Sequence, residues 1–357
     1  MKQFPLRTFR SGRLGVLVCT FLMSVSLLAQ DPHFSQFYAA PMQLNPAMTG
    51  MHPGKWRVVS NYREQWNSLL DTRPFRTIST SFDYRQRVGR GDYVAFGLSA
   101  LSDQAGKSEF HRTNGHLSLS YLKQLDGSRY RSYDQYLIGG VQTGIGQHTI
   151  VPQNLWFSSQ FDLGTEQVDR SLPSGEQFRS ATDLFLDINA GLVWYAVFSD
   201  NNSVYLGGAV HHVNGPNISF IDSGKEELPM KWVAHMGGEF PFNRQLSLLP
   251  AVAFIRQRNN MVSLAGANFR YTNRDWKEIA IRAGAWAQLA GDWEQDLANP
   301  AVTFTAILEV ERWNMGVSYD VSANKLAEPT NGRGAVELSL IYYHPASRRE
   351  KVNCPKL

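Results

Sequence analysis

Three groups of histidines are the residues of this chain best suited to chemistry: His111 with His116, His211 with His212, and His235. Imidazoles ligate zinc, and an imidazole beside a serine or carboxylate can act as a general base. Parity argues against a shared metal. Neighbouring residues of a strand point to opposite faces, so His211 and His212 enter one site only through a bulge. His111 and His116 differ in parity too. The sequence contains no GxSxG, HExxH, P-loop or CxxC motif, so none of these mechanisms has its residues in place. No catalytic residue, metal or cofactor is assigned.

Charged and amide side chains form a second pattern. Arg57, Asn61, Arg63, Gln65, Asp83, Asp187, Asn189, Glu278, Arg282, Glu309, Glu311, Asp320 and Glu337 fall on the polar parity of alternating segments. Groups so placed either pair with one another inside a wet or filled lumen, or grip an internal plug or a passing segment. Alternation alone leaves both open.

Strands must position these residues. Charged residues are 18% of the chain, aromatics 12%, and there are 29 glycines, a balance that suits sheet with tight turns. From Trp56 onward, about fourteen segments of roughly nine to sixteen residues alternate, as the strands of a transmembrane barrel do. They run from Trp56–Trp66 and Arg73–Arg87, through Asp183–Phe198, Lys277–Leu289 and Ala301–Glu311, to Trp313–Ser322 and Gly334–His344. In Asp183–Phe198 the even positions, Leu184 to Phe198, make an apolar face. Asp183, Asp187, Asn189 and Gly191 lie on the other, diluted by Phe185, Val193, Tyr195 and Val197.

A soluble sandwich has the same period, with its apolar face inward. Strand length, and Trp and Tyr near the ends of the apolar faces, favour a barrel in lipid. Connection lengths agree. Short links such as Val88–Asp92 and Ser199–Asn202 alternate with a set that includes the long His148–Thr182 and Asn214–Met230, as periplasmic turns alternate with outer loops. The expected fold is all-β, an antiparallel outer-membrane β-barrel of about fourteen strands with periplasmic N- and C-termini. Arginine at the lipid-facing positions Leu186, Ile188 and Leu192 is expected to be costly. At Asn189, in a wet lumen, it is expected to cost much less.

Residues 1–29 have the layout of a secretory signal peptide. Lys2, Arg7, Arg10 and Arg13 precede an apolar stretch from Leu14 to Leu28, and cleavage falls beside Gln30. The whole chain has 35 Lys and Arg against 31 Asp and Glu, and the leader carries four of the basic residues and no acidic one. From Gln30 onward the chain is formally neutral, which removes the charge argument for a nucleic-acid partner. Cys354 is then the one cysteine left, so no disulfide forms within the mature chain. Residues 30–55 read as a periplasmic strap, extended and turning because of its X-Pro dipeptides, 56–344 as the barrel, and 345–357 as a periplasmic tail.

The segment QDPHFSQFYAAPMQLNPAMTG (residues 30–50) resembles the N-terminal signature of the PorP/SprF family at Asp31, Pro32, Phe34, Ser35, Gln36, Phe37, Asn45, Pro46, Ala47 and Gly50. The likeness extends to Arg63, Gln65 and Trp66 of YREQW, to GVSYDVSANKL, to the closing strand GAVELSLIYY with Glu337, and to Cys354 and Pro355. Lys356 and Leu357 depart from the Cys-Pro-Arg-Phe ending of the family.

The resemblance implies an outer-membrane protein of type IX secretion and gliding motility in Gram-negative bacteria. It also implies assistance to export or surface attachment of particular cargo, and contact with secretion or motility proteins of the periplasm. The expected partners are other secretion proteins, cargo and outer-membrane lipid. A diffusion channel or small-solute transporter is the alternative, and an adhesin using the outer loops a third reading. The strap is expected to pack in the periplasmic mouth or the lumen and to meet Arg63 and Gln65.

Overall fold

The computed structural model describes residues 31–66, 74–106, 108–127, 133–175, 178–199, 201–273, 279–292, 299–323, 332–347 and 354–355. The leader, Glu278 and most of the tail lie outside these residues.

Fourteen strands close into one antiparallel barrel. They are β1 (Trp56–Gln65), β2 (Phe75–Val88), β3 (Asp92–Ala105), β4 (Phe110–Gly127), β5 (Asp134–Thr149), β8 (Phe185–Ser199), β9 (Asn202–His211), β10 (Lys231–Pro241), β11 (Leu246–Gln257), β12 (Asn260–Thr272), β13 (Ile279–Asp292), β14 (Asn299–Val310), β15 (Trp313–Ser322) and β16 (Arg333–His344). Each pairs with its neighbours in chain order, and β1 closes on β16 from Trp56 opposite His344 to Gln65 opposite Ala335. The two-residue strands β6 (Phe161–Asp162) and β7 (Gln167–Val168) pair only with each other, inside the loop between β5 and β8.

The wall is apolar outside and polar inside. On β14, Phe304 is 56% exposed while its neighbour Thr303 is fully buried. Leu98, Leu117, Ile145, Leu186 and Leu192 are likewise exposed, and Ser99, Ser118, Gln142, Asp187 and Asn189 are buried. Such inversion is unstable in water, because exposed apolar area costs about 25 cal/mol per Å². It is the arrangement lipid requires. Among the described residues no helix is long and apolar enough to cross a membrane, so crossing falls to the strands.

Two expectations change here. Ala196 does not join the outer face. The alternation breaks where the β8–β9 register shifts, and Tyr195, Ala196 and Val197 are buried in succession. Glu311 does not reach the interior, because it sits in the β14–β15 turn with positive φ and is exposed.

The long connections 150–184 and 212–230 lie at one end of the barrel, and are tied together by Arg179 N–H donating to Phe220 O (2.9 Å) and by the Arg179–Asp222 ion pair (3.3 Å). Short turns such as 89–91 and 311–312 lie at the other.

A candidate functional site: the strap inside the barrel

Residues 34–52 fill the lumen. Phe34, Phe37, Tyr38, Met42, Leu44, Ala47, Met48 and Met51 are all buried, and most of them join one core cluster with inward side chains of the wall, including Leu122, Ile138, Val193, Tyr195, Leu264 and Trp286. Phe37 meets Trp286 edge-on at 5.5 Å, and Tyr38 lies against the same indole at 5.1 Å. Three of the apolar residues that dilute the inner face of β8, Val193, Tyr195 and Val197, thus belong to the socket for the strap.

The strap is not extended throughout. Helical turns occupy Phe37–Ala39, Pro41–Leu44 and Pro46–Met48. Proline breaks a helix from within but suits its first position, where the missing N–H has no partner to lose. Pro41 and Pro46 both take that position. Asn45 caps the third turn, accepting from Ala47 N at 2.9 Å, while its Nδ2 donates to Gly208 O (3.0 Å) and Leu192 O (3.2 Å) and lies 3.0 Å from His235 Nε2. Glycine lets the strap approach: a Cβ on Gly140 would stand 2.5 Å from the Ala47 Cα. Replacing Asn45 by alanine removes a cap and buried hydrogen bonds at once. A loss of about 2–3 kcal/mol is expected, measurable as a fall in the urea midpoint of the barrel in detergent.

Two ion-pair groups hold the strap. Toward the long-loop end, Glu337 on β16 accepts from the backbone N–H of Ser35 (2.7 Å) and Gln36 (2.9 Å) and pairs with Arg63 on β1, its direct partner across the closing seam. Arg63 also pairs with Asp320 (3.0 Å) and donates to Ser35 Oγ (2.6 Å). Ser35 Oγ in turn donates to Asp320 at 2.8 Å, and Gln36 bridges Ser318 and Ser339 at 3.0 Å each. Toward the short-turn end, Asp83 takes a two-point contact from Arg57 (2.9 Å each) and the Gly50 N–H (2.7 Å). Arg57 also donates to Met48 O, and Arg85 to Gly50 O, His52 O and Gly54 O. Burial holds the His52 imidazole well below its usual range, with Asp83 opposing.

The family-signature residues therefore divide. Ser35, Gln36, Arg63 and Glu337 come together. Asn45 and Pro46 stand on the opposite wall against β8–β10. Gln65, at the end of β1, touches the group only through Arg63 Nη2 at 3.4 Å. Trp66 lies outside it, edge-on to Phe75 at 5.1 Å. Pro32 is half-buried beyond the group, and Asp31 opens the described chain.

Arg57 and Asp83, which polar parity alone left between pairing with each other and gripping a plug, do both. Sequence reading placed no cation against Cys354. The thiol in fact lies 3.6 Å from Arg85 Nη1, 3.5 Å from the Tyr195 hydroxyl and 3.4 Å from His52 O, with Pro355 buried beside it. Cys354 and Pro355 thus dock into the short-turn mouth. Maleimide should label Cys354 many times faster in urea than in the folded barrel, and equal rates would contradict a docked Cys354.

Other inward charges pair on the wall itself. Glu309 receives Arg270 at 2.9 Å and also Arg282. Asp187 lies between His116 Nε2 (3.0 Å) and His212 Nδ1 (2.8 Å). His212 reaches the interior because it stands just beyond β9 with φ +57°, so no strand bulge is needed. His211 donates instead to Leu44 O at 3.3 Å. Among the described residues, no group of three or more His, Cys, Asp and Glu could hold a metal ion.

A closed antiparallel barrel, apolar outside and filled within, defines an integral β-barrel protein of the outer membrane. The model of the type IX secretion system membrane protein PorP/SprF matches residues 26–342, and the chain belongs to that family. Membership implies association with other components of type IX secretion. No curated protein matches the sequence. Among solved structures, the chain is similar to the CymD monoaromatic hydrocarbon channel (12% identity, 86% of this chain and 93% of that one, TM-score 0.49). It is similar also to the toluene transporter TbuX of Ralstonia pickettii (12%, 85% and 92%, TM-score 0.48). A third is the translocator domain of the autotransporter NalP from Neisseria meningitidis (13%, 86% and 97%, TM-score 0.34).

Proposed function

We propose that this chain is a non-enzymatic component of type IX secretion that assists export or surface attachment of specific cargo, gliding-adhesin-like proteins among them, and contacts secretion or motility proteins of the periplasm. In this reading the short turns, the start of β1 and Cys354 face the periplasm, and the long loops face outward. The observation that carries it is the filled lumen. A barrel whose interior holds its own strap, with buried charges paired on it, serves as an anchor or scaffold rather than a passage for solutes. Lipid covers the outer apolar face.

Planar-bilayer recording tests this against a diffusion channel. The intact protein should pass no steady ion current. Stable unitary conductance from the intact protein would overturn the scaffold reading in favour of the channel.

A further inference from the structure

We infer that the lumen is a peptide-binding site, occupied in this structure by the chain's own strap as a resident ligand. The inference concerns how the lumen recognises a segment, not the secretion role, so either can fail without the other.

Three observations carry it. First, the wall reads the strap largely through its backbone. Glu337 takes the N–H groups of Ser35 and Gln36, Asn61 donates to Ala39 O, Ser120 to Thr49 O, and Asp83 takes the Gly50 N–H. Side chains that satisfy main-chain groups are how grooves bind peptides, with pockets for alternate residues adding specificity. Second, such pockets are present. Trp286 takes the Phe37–Tyr38 pair, and the His235 side of the wall takes Asn45. Third, no strand of the barrel is borrowed from the strap. All fourteen strands close among themselves, from β1 to β16.

The strap also crosses the lumen from end to end. His33 lies 3.0 Å from Gln288, near the long-loop end of β13, while Gly54 is held by Arg85 at the short-turn end. The N-terminal end of the described strap therefore lies at the long-loop end, opposite the end where β1 begins. Of the two places expected for the strap, the mouth and the lumen, it takes the lumen.

The ligand class is a peptide that folds into short helical turns in the lumen. It offers two successive free amides followed by an aromatic pair, then an asparagine capping a proline-led turn. Another segment with that pattern would occupy the same groove once the strap leaves.

The test makes the strap separable. A protease site inserted after the exposed Pro53 lets the strap be cut once the barrel has folded, and a fluorescent synthetic peptide of residues 32–52 is then added. Saturable binding is expected, with a scrambled peptide inert, and Glu337→Gln or Asp83→Asn weakening it about tenfold or more, the scale of one charge-assisted bond. In parallel, a barrel lacking residues 32–52 is refolded from urea into detergent with the peptide in trans, and the folded band is scored by heat-dependent gel migration. Rescue by the peptide and not by the scramble supports the site. A peptide that neither binds the cut barrel nor rescues the shortened one, or a scramble that does equally well, overturns it.

Discussion

Glu337→Ala destabilises the barrel by about 3–5 kcal/mol, the usual cost of removing one partner from a buried charge pair. The change strips Arg63 of its partner across the β1–β16 seam and leaves the Ser35 and Gln36 amides without their acceptor. Arg63 keeps Asp320 at 3.0 Å, which places the loss nearer the lower end of that range. The double variant Arg63→Ala/Glu337→Ala should lose less than the sum of the two single changes, because the unpaired guanidinium is then gone. Urea titration followed by heat-dependent gel migration measures all three. Additive losses would show that Arg63 and Glu337 are not coupled across the seam.

Arginine on the wall gives the second large effect, and here the structure reverses part of the expectation. Leu186 and Leu192 are 53% and 54% exposed on the outer face of β8 and Ile188 is 39%, so arginine near the membrane midplane should cost about 2–4 kcal/mol there. In a wet lumen Asn189→Arg would cost much less. Asn189 is instead 2% exposed, donates to Gln142 (2.9 Å) and Asp187 (3.3 Å), and accepts from His212 N at 2.8 Å. Arginine at that position loses these bonds and adds a charge among packed groups. Its cost should match or exceed that of Leu192→Arg. A near-neutral Asn189→Arg in the same urea assay would mean that the lumen is wet after all.

The fold was legible because a lipid-facing barrel writes its pattern in period two. Phe304 beside Thr303, or Leu192 beside Val193, records the two faces directly. The filled lumen was less legible, since its signal looked like noise. Phe185, Val193, Tyr195 and Val197 break the polar parity of β8 because they pack inward, and Val193 and Tyr195 lie in the core shared with the strap. The helical turns of the strap were hidden by a rule applied too broadly. Proline before a turn excludes a continuing helix, yet Pro41 and Pro46 start turns. Strand parity kept His211 and His212 from one shared site, and they do take different partners, although both are buried because parity ends where β9 ends. Cys354 could not have been placed from its neighbours in sequence, because its contacts come from Arg85 and Tyr195, far away along the chain.

The role of the barrel in secretion is tested most directly by quantitative surface proteomics of cells with and without this gene, under conditions where the remaining secretion components are present in equal amount. Selective loss of a small set of exported surface proteins is expected, restored by the wild-type gene. An unchanged surface proteome, with the barrel shown to be absent from the outer membrane, would contradict that role.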